Sequence, residues 1–200
     1  MIPVANPIPE PTAFKARCRK RGNDWLANPK NAGKTRGFPA YWIEFEEQLE
    51  AGFHARCGWW AMRIESGTVD HFMSKAIPAN RRLIYEWSNY RHASGTVNSS
   101  KKNHDDSVLD PFEIQDGWFK VILPSMQLIR TPNIPANMRT KAGFTLTKLK
   151  LANGIKVRRN RKRWYEDYKN GKITIVGLED YAPLIADAVK ALLASGQPLP

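Results

Sequence analysis

Cysteine is scarce in this chain. Cys18 and Cys57 are the only two, and they form no Cys-x-x-Cys pair. A disulfide framework and a four-cysteine zinc site are both excluded. Long apolar runs are missing too: none approaches the ~18 residues that a membrane-spanning helix needs. The start, Met1-Ile2-Pro3-Val4-Ala5-Asn6-Pro7, lacks the charged and apolar regions of a secretory signal. No Gly-x-x-x-x-Gly-Lys-Ser/Thr phosphate loop occurs, so any ATP control must come from another protein. These absences lead to the expectation of a soluble, cytoplasmic protein with no membrane partner. Acidic residues are also outnumbered, 19 Asp and Glu against 31 Lys and Arg, a formal charge of +12. That excess favours a polyanionic partner, nucleic acid ahead of an anionic membrane surface.

What is present suffices for a core. Hydrophobic residues make up 42% of 200, enough for one domain with extensions or two small lobes. Residues 1–38 read as a proline-rich, then basic, N-terminal arm. Pro3, Pro7, Pro9 and Pro11 block helix, and Lys15, Arg17, Arg19, Lys20 and Arg21 follow. The arm is expected to lie extended, on a partner or on the body. Residues 39–135 read as the central unit. Trp42, Phe45 and Leu49 predict a helix over 39–51, closed by Gly52. Strands are predicted at 67–72 and 90–93, with a long loop between them. A helix is predicted from about residue 96, capped by Ser94 or Thr96. Two more strands are predicted around Pro124-Ser125.

Residues 136–200 read as helical, basic and then amphipathic. Two helices break near Asn153-Gly154. A last one spans about 179–194, with Leu184, Ile185, Val189, Leu192 and Leu193 as its apolar stripe. The basic helix carries Lys156, Arg158, Arg159, Arg161, Lys162 and Arg163. As a plain surface helix it needs no ligand. As a nucleic-acid contact its cations neutralise backbone phosphates without reading sequence.

The most informative stretch is Val69-Asp70-His71-Phe72, followed by Tyr85-Glu86-Trp87-Ser88-Asn89-Tyr90 and Asn98-Ser99-Ser100-Lys101. An Asp-His pair alone says little. With two asparagines at this spacing, the segment from Val69 to Lys101 resembles the HNH (His-Me finger) nuclease family. Thr145-Leu146-x-x-Leu149-x-Leu151-x-Asn153 is similar to a helix trailing the core in many relatives. The resemblance implies an α+β fold with a ββα-metal core, flanked by helices and a small β-hairpin. It also implies a metal-dependent endonuclease that hydrolyses DNA. Asp70 and Asn98 offer the oxygen ligands that a hard cation such as Mg²⁺ or Mn²⁺ prefers. His71, pointing to the other face of its strand, is the expected general base. Asn89 is expected to bond loop backbone and so orient His71. Lys101 is expected to meet a phosphate.

His54, His92 and His104 are read as surface or structural residues, with His92 also a candidate substitute phosphate contact. Asp105 and Asp106 are read as carboxylates on a solvated loop ahead of their alternative, joining the metal site. Many relatives pin the unit with zinc on two cysteine pairs. Here Trp60, Ser94 and Val97 stand at three of those four positions beside Cys57, so structural zinc is not expected. Trp59, Trp60, Val97 and Trp87 are expected to pack in its place. The Asp-His-Phe and Tyr-Glu-Trp-Ser-Asn pieces look like the nuclease component of Septu-type antiphage systems, which implies an ABC-type ATPase as protein partner. The competing expectation is an eroded HNH fold that only binds DNA or joins a complex.

Overall fold

The computed structural model describes residues 1–200. It mixes helices with three separate two-stranded antiparallel sheets. The elements that position the site are β3 (Thr68–His71), β4 (Tyr90–Ala93) and α3 (Gly95–Lys101). Before them come α1 (Arg21–Ala27), α2 (Glu46–Gly52), β1 (Arg56–Cys57) and β2 (Met62–Arg63). After them come β5 (Phe119–Ile122), β6 (Gln127–Arg130), α4 (Arg139–Lys148), α5 (Ile155–Lys169), α6 (Ile175–Tyr181) and α7 (Pro183–Ala194).

β3 and β4 pair in the register Thr68 with Ala93, Val69 with His92, Asp70 with Arg91 and His71 with Tyr90. Alternation therefore puts Thr68, Asp70, Arg91 and Ala93 on one face and Val69, His71, Tyr90 and His92 on the other. The chain turns directly into α3, because the Ser94 hydroxyl accepts from Val97 N at 3.3 Å and caps the first turn.

Two apolar clusters hold the molecule together. The smaller joins Phe14, Cys18, Trp42, Phe45, Leu49, Tyr85, Trp87 and Tyr90. The N-terminal arm thus folds onto the body. Phe14 is fully buried with its ring edge-on to Phe45 and Trp87, a contribution of about 1.5–3 kcal/mol. The basic run is helical rather than a loose arm, from Lys15–Lys20 into α1. Gly22 sits where a Cβ would fall 2.1 Å from the Tyr85 ring, so only glycine lets α1 lie against that aromatic.

The larger cluster joins Cys57, Trp59, Trp60, Val97, Leu146, Val157, Leu178 and Ile185. The C-terminal helices share it with the central unit, so packing crosses the boundary expected at residue 136. Trp59, Trp60 and Val97 pack together as expected, whereas Trp87 belongs to the smaller cluster. Cys57 Sγ accepts from Ser94 N at 3.3 Å, which ties β1 to the start of α3.

Two helical expectations need correction. The helix expected over 39–51 is a 3-10 turn, Tyr41–Phe45, followed by α2. The helix expected over 179–194 is broken at Ala182 between α6 and α7, because Pro183 has no N–H to continue α6 and fits the first turn of α7. No helix is long and apolar enough to cross a membrane.

Candidate active site around Asp70 and His71

On the α3 side of β3, Asp70 is almost fully buried, and its Oδ2 receives no hydrogen bond. The Lys101 ammonium lies 3.2 Å from that oxygen. Its directed hydrogen bonds go to His71 O at 3.0 Å and Phe72 O at 2.8 Å. Burial pushes the Asp70 carboxyl above the ordinary range, and Lys101 and Arg91 pull it part of the way back. Arg91 itself is held by both oxygens of Asp110, at 2.6 and 2.5 Å. Asn98 reaches the same face: its Nδ2 donates to Thr68 Oγ1 at 3.1 Å, two residues along the strand from Asp70. That bond uses the amide nitrogen and leaves the amide oxygen open.

On the opposite face His71 is also buried. Its Nε2 is 3.0 Å from Ile84 O. A carbonyl only accepts, so Nε2 carries the proton and Nδ1 keeps the lone pair. The ring stands edge-on to Trp42 at 4.5 Å and Tyr90 at 5.0 Å between ring centres. Burial, and then the nearby Lys75 ammonium, lower the imidazole pKa from its ordinary 6.5 to about 3. That favours the neutral ring and also makes it a weaker proton acceptor than an ordinary histidine.

Asn89 fastens the loop between the strands. Its Oδ1 accepts from Met73 N at 2.7 Å, and its Nδ2 donates to Met73 O at 3.1 Å and Leu83 O at 3.0 Å. Leu83 precedes Ile84, whose carbonyl orients His71, so the asparagine acts on the histidine through the backbone. The Tyr90 hydroxyl donates to the same Ile84 carbonyl at 2.9 Å.

Two sequence expectations do not survive here. Lys101, expected to meet a phosphate, has no exposed surface. Its ammonium is fully engaged inside the fold and cannot reach a ligand without unfolding the end of α3. Asp105, expected on a solvated loop, is buried. Its Oδ2 accepts from Ser74 N at 2.6 Å and Asn80 Nδ2 at 2.9 Å. No sequence pattern marks either residue, because a lysine and an aspartate ordinarily face solvent. His92 is structural as expected, buried on β4 against Gly67.

The basic helix is divided by its own periodicity. Arg158, Arg159, Lys162 and Lys169 line a 650 Å³ groove beside Ser125 and Met126, and Lys156 is exposed. Arg163 is exposed and pairs with Glu65 at 3.0 Å. Arg161 is a correction: it is buried, with Nη1 donating to Met126 O at 2.9 Å, and burial brings its pKa down to about 10. It anchors α5 to the turn before β6 and is not available to nucleic acid.

The Asp70 environment fits a hard divalent ion in one respect and resists it in another. A buried carboxylate oxygen without a directed hydrogen bond, on the same strand face as the Asn98 amide, offers oxygen donors that Mg²⁺ or Mn²⁺ could use. Such an ion would keep waters and take phosphate oxygens for the rest of its shell. No group of three or more His, Cys, Asp or Glu forms a fuller cage. Against it, Lys101 already supplies one positive charge. The largest cavity, 680 Å³ between β5 and α7, is lined by other residues. No protein-family model matches the chain, and no curated protein matches it.

Proposed function

We propose that the chain is a metal-dependent endonuclease of the HNH type, built on a ββα-metal core of β3, β4 and α3, that hydrolyses DNA. The observation that carries this reading is the pairing of opposite faces on one strand. Asp70 turns a carboxylate oxygen that accepts no directed hydrogen bond toward Lys101 at the end of α3, with Asn98 bonded to Thr68 on the same strand face, while His71 is fixed through Nε2 with its Nδ1 lone pair free.

Asp70 and Asn98 would hold the ion. When bound, the ion supplies Lewis-acid stabilisation of charge on the phosphate. His71 Nδ1 takes a proton from the attacking water as its oxygen bonds to phosphorus and the phosphorus–O3′ bond breaks, the departing 3′ oxygen taking a proton from solvent. Ile84 O holds the imidazolium formed, and Asn89 keeps that carbonyl in place. Arg158, Arg159 and Lys162, with Lys156, track the DNA backbone. Any nucleotide control comes from an ATPase partner, in an antiviral role within the cytoplasm.

A second reading has one observation in its favour. Lys101 lies 3.2 Å from Asp70 and can neutralise it without a metal, which suits an eroded fold that only binds DNA or a partner protein. Supercoiled plasmid, incubated with the purified chain in Mg²⁺, Mn²⁺ or excess chelator, separates the two. Ion-dependent cutting, alone or with a co-purifying ATPase, supports the nuclease. No cutting under either condition supports the eroded fold.

A further inference from the structure

The loop between β3 and β4 is fastened at unusual density around one residue. On one side of Lys75, the Met73 backbone is clamped at both N and O by Asn89. Next to it, Ser74 N donates to Asp105, and Ser74 O accepts from Asn80 at 3.2 Å. The Ser74 hydroxyl in turn accepts from Ala76 N at 3.3 Å. Asn80, Asn89 and Asp105 are all buried. Burying three polar side chains costs stability that their hydrogen bonds offset, all but that of Asp105 Oδ1, which has none, and here the bonds converge on a four-residue turn.

Lys75 is the side chain that this turn displays. Its ammonium lies 4.4 Å above the centre of the Trp42 ring, and the His71 ring centre is 4.5 Å from the same indole. Lys75 is therefore no farther from His71 than those two spans laid end to end; His71 feels its charge, and Lys75 in turn is held charged by Asp70 against the cost of burial. It is half-buried, yet no carboxylate lies within ion-pair distance of it. A cation fixed beside a neutral imidazole, desolvated on one side, with Asp70 near enough to act on it but in no direct ion pair, is arranged to receive an anion.

We propose that Lys75 is a phosphate-binding residue of the Asp70–His71 site. Its ammonium grips a non-bridging oxygen of the phosphodiester and stabilises the charge that grows there during attack. This rests on the nuclease reading for its catalytic half and on anion binding alone for the other half. The competing account is that Lys75 merely packs on Trp42. That account has no need of a rigid turn or of an unpaired charge, since a methionine would cover the indole as well.

The test has two arms. In the first, inorganic phosphate is titrated into metal-free, ¹⁵N-labelled protein, with chloride matching ionic strength, and the Trp42 indole N–H signal is followed. A saturable shift is expected in the wild type and in Lys75→Arg, and none in Lys75→Met. In the second, plasmid cleavage by Lys75→Met is expected to fall about 100-fold in kcat with little change in KM, and Lys75→Arg to recover part of it. Unchanged near-ultraviolet circular dichroism verifies folding. No Trp42 shift in the wild type, an equal shift in Lys75→Met, or cleavage by Lys75→Met within twofold of wild type overturns the proposal. Should the wild type cut no DNA either alone or with a co-purifying ATPase, the nuclease reading fails and the phosphate arm alone decides Lys75.

Discussion

The end of β3 and the basic helix α5 both stand out in the sequence by their charge, and the fold treats them in opposite ways. Around β3 the polar groups are inside. Asp70, His71, Asn89, Lys101 and Asp105 are buried, and each is held by, or holds, a named backbone or side-chain atom. Along α5 most cations stay outside, and Arg161 alone is drawn in. Desolvated polar groups are costly, so a chain that buries five of them near one strand end is investing stability in geometry. Exposed cations cost little and specify little. Under the proposed nuclease reading, chemistry that demands fixed positions would fall to the first region, and charge neutralisation that tolerates sliding to the second.

Removing the buried cation should break this contrast most severely. Lys101→Met leaves Asp70 and Asp105 without their shared ammonium and strips two hydrogen bonds from the end of β3. A loss of about 3–5 kcal/mol is expected in urea unfolding. A loss under about 1 kcal/mol would mean that Lys101 is not a structural pin, and would revive it as a phosphate ligand. The smaller effect lies on α5. Changing Arg158, Arg159 and Lys162 together to Gln should leave the unfolding midpoint nearly unchanged. It should flatten the dependence of DNA affinity on salt by roughly 0.9 in slope for each phosphate no longer neutralised. Arg161→Gln should do the reverse, lowering stability with the slope unmoved. If the triple variant binds with the wild-type slope, α5 is a structural helix and the contrast collapses.

Much of this was legible in the residues. Strand β3 and the cap at Ser94 follow from the β preference of Thr68 and Val69 and from a hydroxyl just before the first helical turn, both local signals. Asn89 was readable as a loop clamp from its place in the motif, and its three backbone bonds match that expectation. The break at Ala182 was available in Pro183, but the apolar stripe on either side argued for continuity. Burial of Lys101, Asp105 and Arg161 was not legible, because it depends on which helix face meets a partner far along the chain. Lys75 carries no signal at all. A lysine in a turn is ordinary, and its position over Trp42 arises only when residues far apart in sequence are brought together by the smaller core.

The central claim is that His71, neutral and held through Nε2, takes the proton of the attacking water. The most direct measurement is Mg²⁺-dependent plasmid cleavage by His71→Ala beside wild type, with matched circular dichroism. A fall of about 10²–10⁴-fold is predicted. Cleavage by a folded His71→Ala at the wild-type rate would contradict the account.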